Sequence, residues 1–250
     1  MNDIILPIAA ELQQFEAFFE QTLKADTEPM NTIMQYVHET KGKRLRPILV
    51  ILSAKLFGEP NEQTLRAATF VEMVHSATLI HDDVVDNADA RRGQASVKAH
   101  FGNLSAVLAG DYLLAKAMLL IANDTDILNE MLTTTAAMSE GELMQSQNNA
   151  DYLDIITRNT ALLMRSCCVA GAMSVGATTE QIRQISDFGL NFGILFQLRD
   201  DMLDGENTEL AQTLLPNYLE KTLQSLEGFK NREIVKVLKE LTLFCAEREE

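Results

Sequence analysis

Positive charge is scarce in this sequence. Its 21 lysines and arginines stand against 36 aspartates and glutamates, a formal charge of −15 over 250 residues. A chain that acidic repels a phosphate backbone, which excludes nucleic acid as a general partner. Phosphorylated small molecules remain open only through divalent cations or a local basic patch. Cysteine is scarce too, with three in all and Cys167 beside Cys168 in an apolar run. That count excludes a disulfide framework and predicts buried free thiols in a reducing compartment. No stretch reaches the length of an uncharged membrane span, and Met1-Asn2-Asp3 lacks the basic start of a secretory signal. A soluble cytoplasmic protein is the expectation. Strand signals are nearly absent, because Gly and Pro fall between long runs instead of punctuating short alternating ones.

What is there is helix. The apolar period predicts helices at roughly 3–24, 29–40, 44–57, 61–86, 103–122, 126–148, 151–175, 179–204, 209–227 and 231–248. Pro29 suits a first turn, Pro60-Asn61 marks a break, and Thr178 with Gln181 matches a capping box. Helices 61–86 and 151–175 are apolar around much of their circumference, which predicts central positions in a bundle. With no linker, charged tail or repeat, the expectation is one all-α domain over residues 1–250.

The strongest chemical signal is Asp82-Asp83-Val84-Val85-Asp86 at the end of one apolar helix. Asp82 and Asp86 are four apart, so they share a face about one turn from each other. Like charges so placed destabilise a helix, and carboxylates pressed against apolar flanks need a compensating cation. A few hard oxygens on a rigid helix suit Mg²⁺, which completes its shell with water and substrate phosphates. Taken alone, the motif also reads as a solvated acidic face. It recurs, however, in Asp200-Asp201-Met202-Leu203-Asp204, again ending an apolar helix. Two such helices facing each other would leave room for a diphosphate between bound metals. The scarce cations cluster in turn: Lys43, Arg44 and Arg46 at a helix start, where backbone N–H groups also favour anions, and Arg91-Arg92 just after the first motif.

In this order the residues resemble the trans-type (E)-polyprenyl diphosphate synthases. The matching pieces are Gly42-Lys43-x-x-Arg46-Pro47, His75, Asp82-Asp83-x-x-Asp86, Arg91-Arg92-Gly93, Gly110-Asp111-Tyr112-Leu113, Gly141-Glu142-x-x-Gln145, and Gly193-x-x-Phe196-Gln197-x-x-Asp200-Asp201-x-x-Asp204. The resemblance implies an isoprenoid-synthase helical bundle around a central cavity. It implies an enzyme that condenses isopentenyl diphosphate with an allylic diphosphate. Asp82, Asp86 and Asp200 would hold a cluster of Mg²⁺ ions, three with substrate bound, supported by Asp83, Asp201 and Asp204. Arg91 would join them on the allylic diphosphate, and Lys43, Arg46, His75 and Arg92 would bind isopentenyl diphosphate. Thr160 and Gln197 would turn oxygen dipoles toward the developing cation, and His81 would orient the aspartates.

Product length has one handle. Thr78 lies one turn below Asp82 with Ala77 beside it, and the small side chains imply an open floor and a product longer than C20. Two departures from the family pattern stand out: Asn159-Thr160 replaces its Lys-Thr, and a segment of several tens of residues typical of it is absent near 205–217. A homodimer is expected. The alternatives are a weak or non-catalytic subunit of a heteromeric synthase, and a terpene cyclase, whose second metal motif differs from Asp200-Asp201-x-x-Asp204.

Overall fold

The computed structural model describes residues 1, 3–40, 42–91, 93–147 and 151–249. Among the described residues twelve α-helices carry the fold: α1 Ala9–Leu23, α2 Glu28–Glu39, α3 Leu45–Phe57, α4 Glu62–Val85, α5 Val97–Phe101, α6 Asn103–Leu120, α7 Thr125–Ser146, α8 Tyr152–Ile156, α9 Leu162–Ser174, α10 Thr179–Asp204, α11 Thr208–Gln224 and α12 Arg232–Glu247. A hairpin of two-residue strands, β1 Ala90–Arg91 and β2 Gln94–Ala95, follows α4. The all-α expectation holds, and the breaks fall where the sequence marks them. Asn61 closes a capping box with Thr64 at the start of α4, and Thr178 does so with Gln181 at the start of α10.

Three helices form the centre. α4 and α9 were expected there; α3 joins them, buried on nearly every side between them. A second, smaller cluster packs Ile156, Ile194, Leu198 and Ala211 beneath α11. It fixes α10 to α8 and so holds the second aspartate motif. The predicted helix 151–175 is not continuous, because one turn of π-helix, Thr157–Ala161, interrupts it between α8 and α9. The extra residue rotates the chain so that Asn159 faces α7 while Thr160 faces α10. α10 comes so close there that a Cβ on Gly193 would lie 2.5 Å from the Ala161 Cα. Only glycine permits that approach.

Candidate active site

Both aspartate motifs end their helices, and each divides in the same way. Asp83 is buried, 3 % exposed, and accepts two hydrogen bonds on one oxygen from Arg91, Nε at 2.9 Å and Nη2 at 2.6 Å. The hairpin turns Arg91 back onto it. Asp201, 6 % exposed, accepts from Gln197 Nε2 at 2.7 Å and from the Tyr152 hydroxyl at 2.5 Å. Thr160 Oγ1 donates in turn to Gln197 Oε1 at 2.7 Å. A chain Thr160–Gln197–Asp201–Tyr152 thus ties the π-turn, α10 and α8 together. Its consequence is direct: the Gln197 oxygen is already an acceptor from Thr160. Asp82 and Asp200 are half-buried, and Asp86 and Asp204 are exposed, which leaves their oxygens accessible.

The electrostatics of the first motif include a residue without an expected role. Burial pushes the Asp82 carboxyl up to about 6, and the charges of Glu142 and Asp86 add to the rise against Arg91. Glu142 itself is raised by burial and then by Asp86. Glu142 of α7 is therefore a third member of this acidic group, and its place in Gly141-Glu142-x-x-Gln145 was the available signal. Burial also raises Asp200, against the pull of Arg248 and with the charges of Asp204 and Asp201 adding to the rise. Among the described residues, no three His, Cys, Asp or Glu side chains converge in a ready-made metal cage. The donors nonetheless fit a hard divalent cation: they are all oxygen, and burial and mutual repulsion destabilise their charged forms until a cation joins them.

The cationic wall lies across α3. Lys43, Arg46 and His75 line a cavity of about 500 Å³, with Phe196 of α10 and with Phe244, Cys245 and Arg248 at and beyond the end of α12. Arg46 Nη1 lies 2.9 Å from His75 Nε2. A guanidinium can only donate, so that ring nitrogen is placed to accept. Arg44 serves the fold: it pairs with Glu16 at 2.9 Å and Glu72 at 2.6 Å and lies 4.9 Å over the Phe19 ring. Arg92 lies outside the described residues.

Other expected roles shift on inspection. His81 turns away from the aspartates: its Nε2 lies 3.1 Å from the Val107 carbonyl oxygen of α6 and 3.7 Å from Asp111. The ring occupies the space that a Cβ on Gly110 would fill, 2.1 Å from Nε2. Asn159 donates to Gln145 at 2.7 Å and Glu142 at 3.2 Å, which fastens the π-turn to α7. Arg158 pairs outward with Asp154 and Glu140. Thr78 is half-buried and donates to the His75 carbonyl at 3.0 Å, whereas Ala77 is completely buried in the core.

The profile of the family described as Polyprenyl synthetase matches residues 27–212. The chain belongs to that family. It is 37% identical over 191 residues to an octaprenyl diphosphate synthase of Haemophilus influenzae, an alignment covering 73% of this chain and 58% of that one. It is 33% identical over 251 residues to a geranylgeranyl diphosphate synthase of Sulfolobus acidocaldarius, covering 91% and 76%. The fold superimposes on a polyprenyl synthase from Caulobacter crescentus, solved with calcium and isoprenyl diphosphate, with a TM-score of 0.93 at 25% identity. That superposition covers 100% of this chain and 98% of the other. The chain therefore spans about three-fifths of the Haemophilus relative, and its connection after α10 is short. Gly205, Glu206 and Asn207 alone link α10 to α11, with Gly205 at φ 76° and Asn207 at φ 44°.

Proposed function

We propose that this polyprenyl synthetase family member transfers an allylic prenyl group to isopentenyl diphosphate, giving a longer trans-prenyl diphosphate and free diphosphate. The observation that carries the reading is a cationic cavity tied to the second aspartate motif by one side chain. Lys43, Arg46, His75, Phe196 and Arg248 line the cavity, and Arg248 pairs with Asp200. Asp82, Asp86 and Asp200 would hold Mg²⁺, three ions with substrate bound, and Glu142 and Asp204 lie within their electrostatic reach. The metal would neutralise the leaving diphosphate as the allylic C1–O bond breaks.

This chain's own residues then do the rest. Asp83 and Asp201 lock the two helix ends, so the accessible carboxylates keep their aim. Lys43 and Arg46 fix the second diphosphate, which presents the isopentenyl double bond to C1. Gln197 and Thr160 border the reacting carbon as aligned dipoles. The new C–C bond forms at C1, and the proton lost from the isopentenyl unit passes to the released diphosphate. The half-buried Thr78 on the Asp82 face supports a growing tail along α4 and a product longer than C20.

A homodimer fits the surface. α6 is long and apolar enough to pass for a membrane span by composition, the one such helix among the described residues, and only 28% of it is buried. Leu104, Val107, Leu108, Met118 and Leu119 stand exposed along it, Leu104 and Leu119 at 76%. An apolar face of this kind, broken by the exposed Asp111, is a usual mark of an interface. Lys116 meanwhile ties α6 to the Thr22 carbonyl at 2.7 Å, so the helix is anchored to the bundle. Three buried free thiols support a reducing, cytoplasmic setting.

The test is a product assay with the full chain, Mg²⁺, labelled isopentenyl diphosphate and farnesyl diphosphate. Labelled chains longer than C20 are the expected result. No incorporation by a folded, metal-binding protein would refute the reading and favour a subunit that needs a partner.

A further inference from the structure

Arg248 stands where the two walls meet. Its guanidinium lies 4.2 Å from the Phe196 ring centroid, reaches the Phe196 carbonyl at 3.4 Å and pairs with Asp200. Arg199 grips its carbonyl oxygen through Nε at 2.8 Å and Nη2 at 2.5 Å. The side chain is only 9% exposed, yet it lines the same cavity as Lys43, Arg46 and His75. Its Nε–H is buried without a hydrogen-bond partner. A buried, charged donor left unmade costs free energy until an acceptor arrives, and the cavity is where an acceptor can arrive. Asp200, for its part, cannot give the same oxygen fully to this guanidinium and to a divalent cation.

We propose that Arg248 is a positioning residue that couples the two diphosphate subsites. It holds Asp200 while the site is empty, then turns to a diphosphate bound in the Lys43–Arg46 cavity and releases Asp200 to metal. Occupancy of the cationic cavity thereby prepares the metal wall, and metal at Asp200 prepares the cavity. This rests on the reading of the cavity as a diphosphate site given above. The geometry favours it because a single side chain touches both subsites, and because the backbone at Arg248 is fixed by Arg199 while its buried Nε–H has no partner.

The test uses the full chain in an Asp82→Asn background, which weakens the other metal wall. Mn²⁺ affinity is measured by titration calorimetry and by electron paramagnetic resonance, with and without saturating isopentenyl diphosphate. Isopentenyl diphosphate binding is also measured in metal-free buffer. With Arg248 present, the ligand should tighten Mn²⁺ binding by about 5- to 10-fold, a typical coupling between sites. Arg248→Gln should bind Mn²⁺ alone more tightly, bind the ligand more weakly, and lose the coupling. By linkage Mn²⁺ must tighten isopentenyl diphosphate binding by the same factor when Arg248 is present, and must leave it unchanged in the variant. Unchanged Mn²⁺ affinity in the variant, or coupling that survives it, overturns the proposal.

A purely structural role would lower the melting temperature and leave both affinities alone, and would equally overturn it. If Arg248→Gln fails to fold, Arg248→Lys, which loses the fork but keeps the charge, should show the same directions at smaller size. Failure to bind isopentenyl diphosphate at all would sink the cavity reading along with this one. Binding without coupling sinks this one alone.

Discussion

Replacing Asp82 by asparagine should make the metal-free protein more stable at neutral pH, at the expense of its metal affinity. The Asp82 carboxyl is held at about 6 by burial, Glu142 and Asp86, against an ordinary 3.8. The folded protein keeps this proton through a window in which the unfolded chain has lost it. Between about pH 4 and 6 the native state therefore binds more protons, so stability falls as pH rises through that window and levels off above it. At about 1.36 kcal/mol per pH unit the gap amounts to about 3 kcal/mol. Asp82 is only half-buried, and solvent screening reduces the figure to about 1.5 kcal/mol.

In a chain of this size that corresponds to about 3–6 °C in melting temperature. The assay is a set of thermal melts from pH 4 to 8 with chelator present. Wild type and Asp82→Asn should coincide near pH 4 and separate as pH rises, with the variant the more stable. Adding Mg²⁺ at pH 7.5 should close the gap by stabilising the wild type, because binding to the native state raises its melting temperature. The reasoning is refuted if the variant is no more stable than wild type at pH 7.5, or if the difference shrinks as pH rises.

Gln197→Leu should cut turnover by about 100- to 1000-fold, the size expected when a preorganised dipole at a developing charge is lost, and Asp201 should lose a bond worth about 1–3 kcal/mol. Steady-state kinetics beside a thermal melt would show both, and full activity would remove Gln197 from the mechanism. Thr78→Phe should shorten the product without loss of fold, whereas Ala77→Phe should also lose about 1–3 kcal/mol, because Ala77 has no exposed surface and the ring must overpack the core. Chromatographic sizing of the extracted chains, run with melts, separates the two, and unchanged product length in both would end the open-floor argument. Leu108→Glu, on the exposed stripe of α6, should convert a dimer to monomer by light scattering without lowering the helical signal in circular dichroism, and an unchanged mass would place any interface elsewhere.

The parts legible in the sequence were those fixed by short spacing. Asp82 and Asp86, Lys43 and Arg46, and the capping boxes at Asn61 and Thr178 all act within a turn or two of chain, where helical period determines what shares a face. The parts that were not legible depend on residues far apart. Tyr152 meets Asp201 across 49 residues and Arg248 meets Asp200 across 48. Nothing in the Glu247-Arg248-Glu249 stretch marks it as a neighbour of the second motif. His81 read as a support for the aspartates because it precedes them, yet one residue along a helix is a 100° turn, and that turn aims it at Gly110 of α6. The π-turn was hidden for a related reason: Asn159 and Thr160 are adjacent in an apolar period, and a single inserted residue decides which of them faces α7 and which α10.

The two motifs carry one argument further. In each Asp-Asp-x-x-Asp the first aspartate is half-buried, the second buried and the last exposed: Asp82, Asp83, Asp86, and again Asp200, Asp201, Asp204. Helix geometry requires this order, since the first and last positions share a face and the middle one is rotated toward the core. A buried carboxylate there would be costly unless paired, and each motif solves the problem with different partners, Arg91 in one case and Gln197 with Tyr152 in the other. Convergence on the same division by unrelated partners means that the middle aspartate anchors the helix end while its neighbours keep a more accessible face, Asp200 beside its pairing with Arg248. It also means that the paired partners belong to the site as much as the aspartates do. Loss of the Tyr152 hydroxyl would disturb the aim of Asp200 through the anchor beside it.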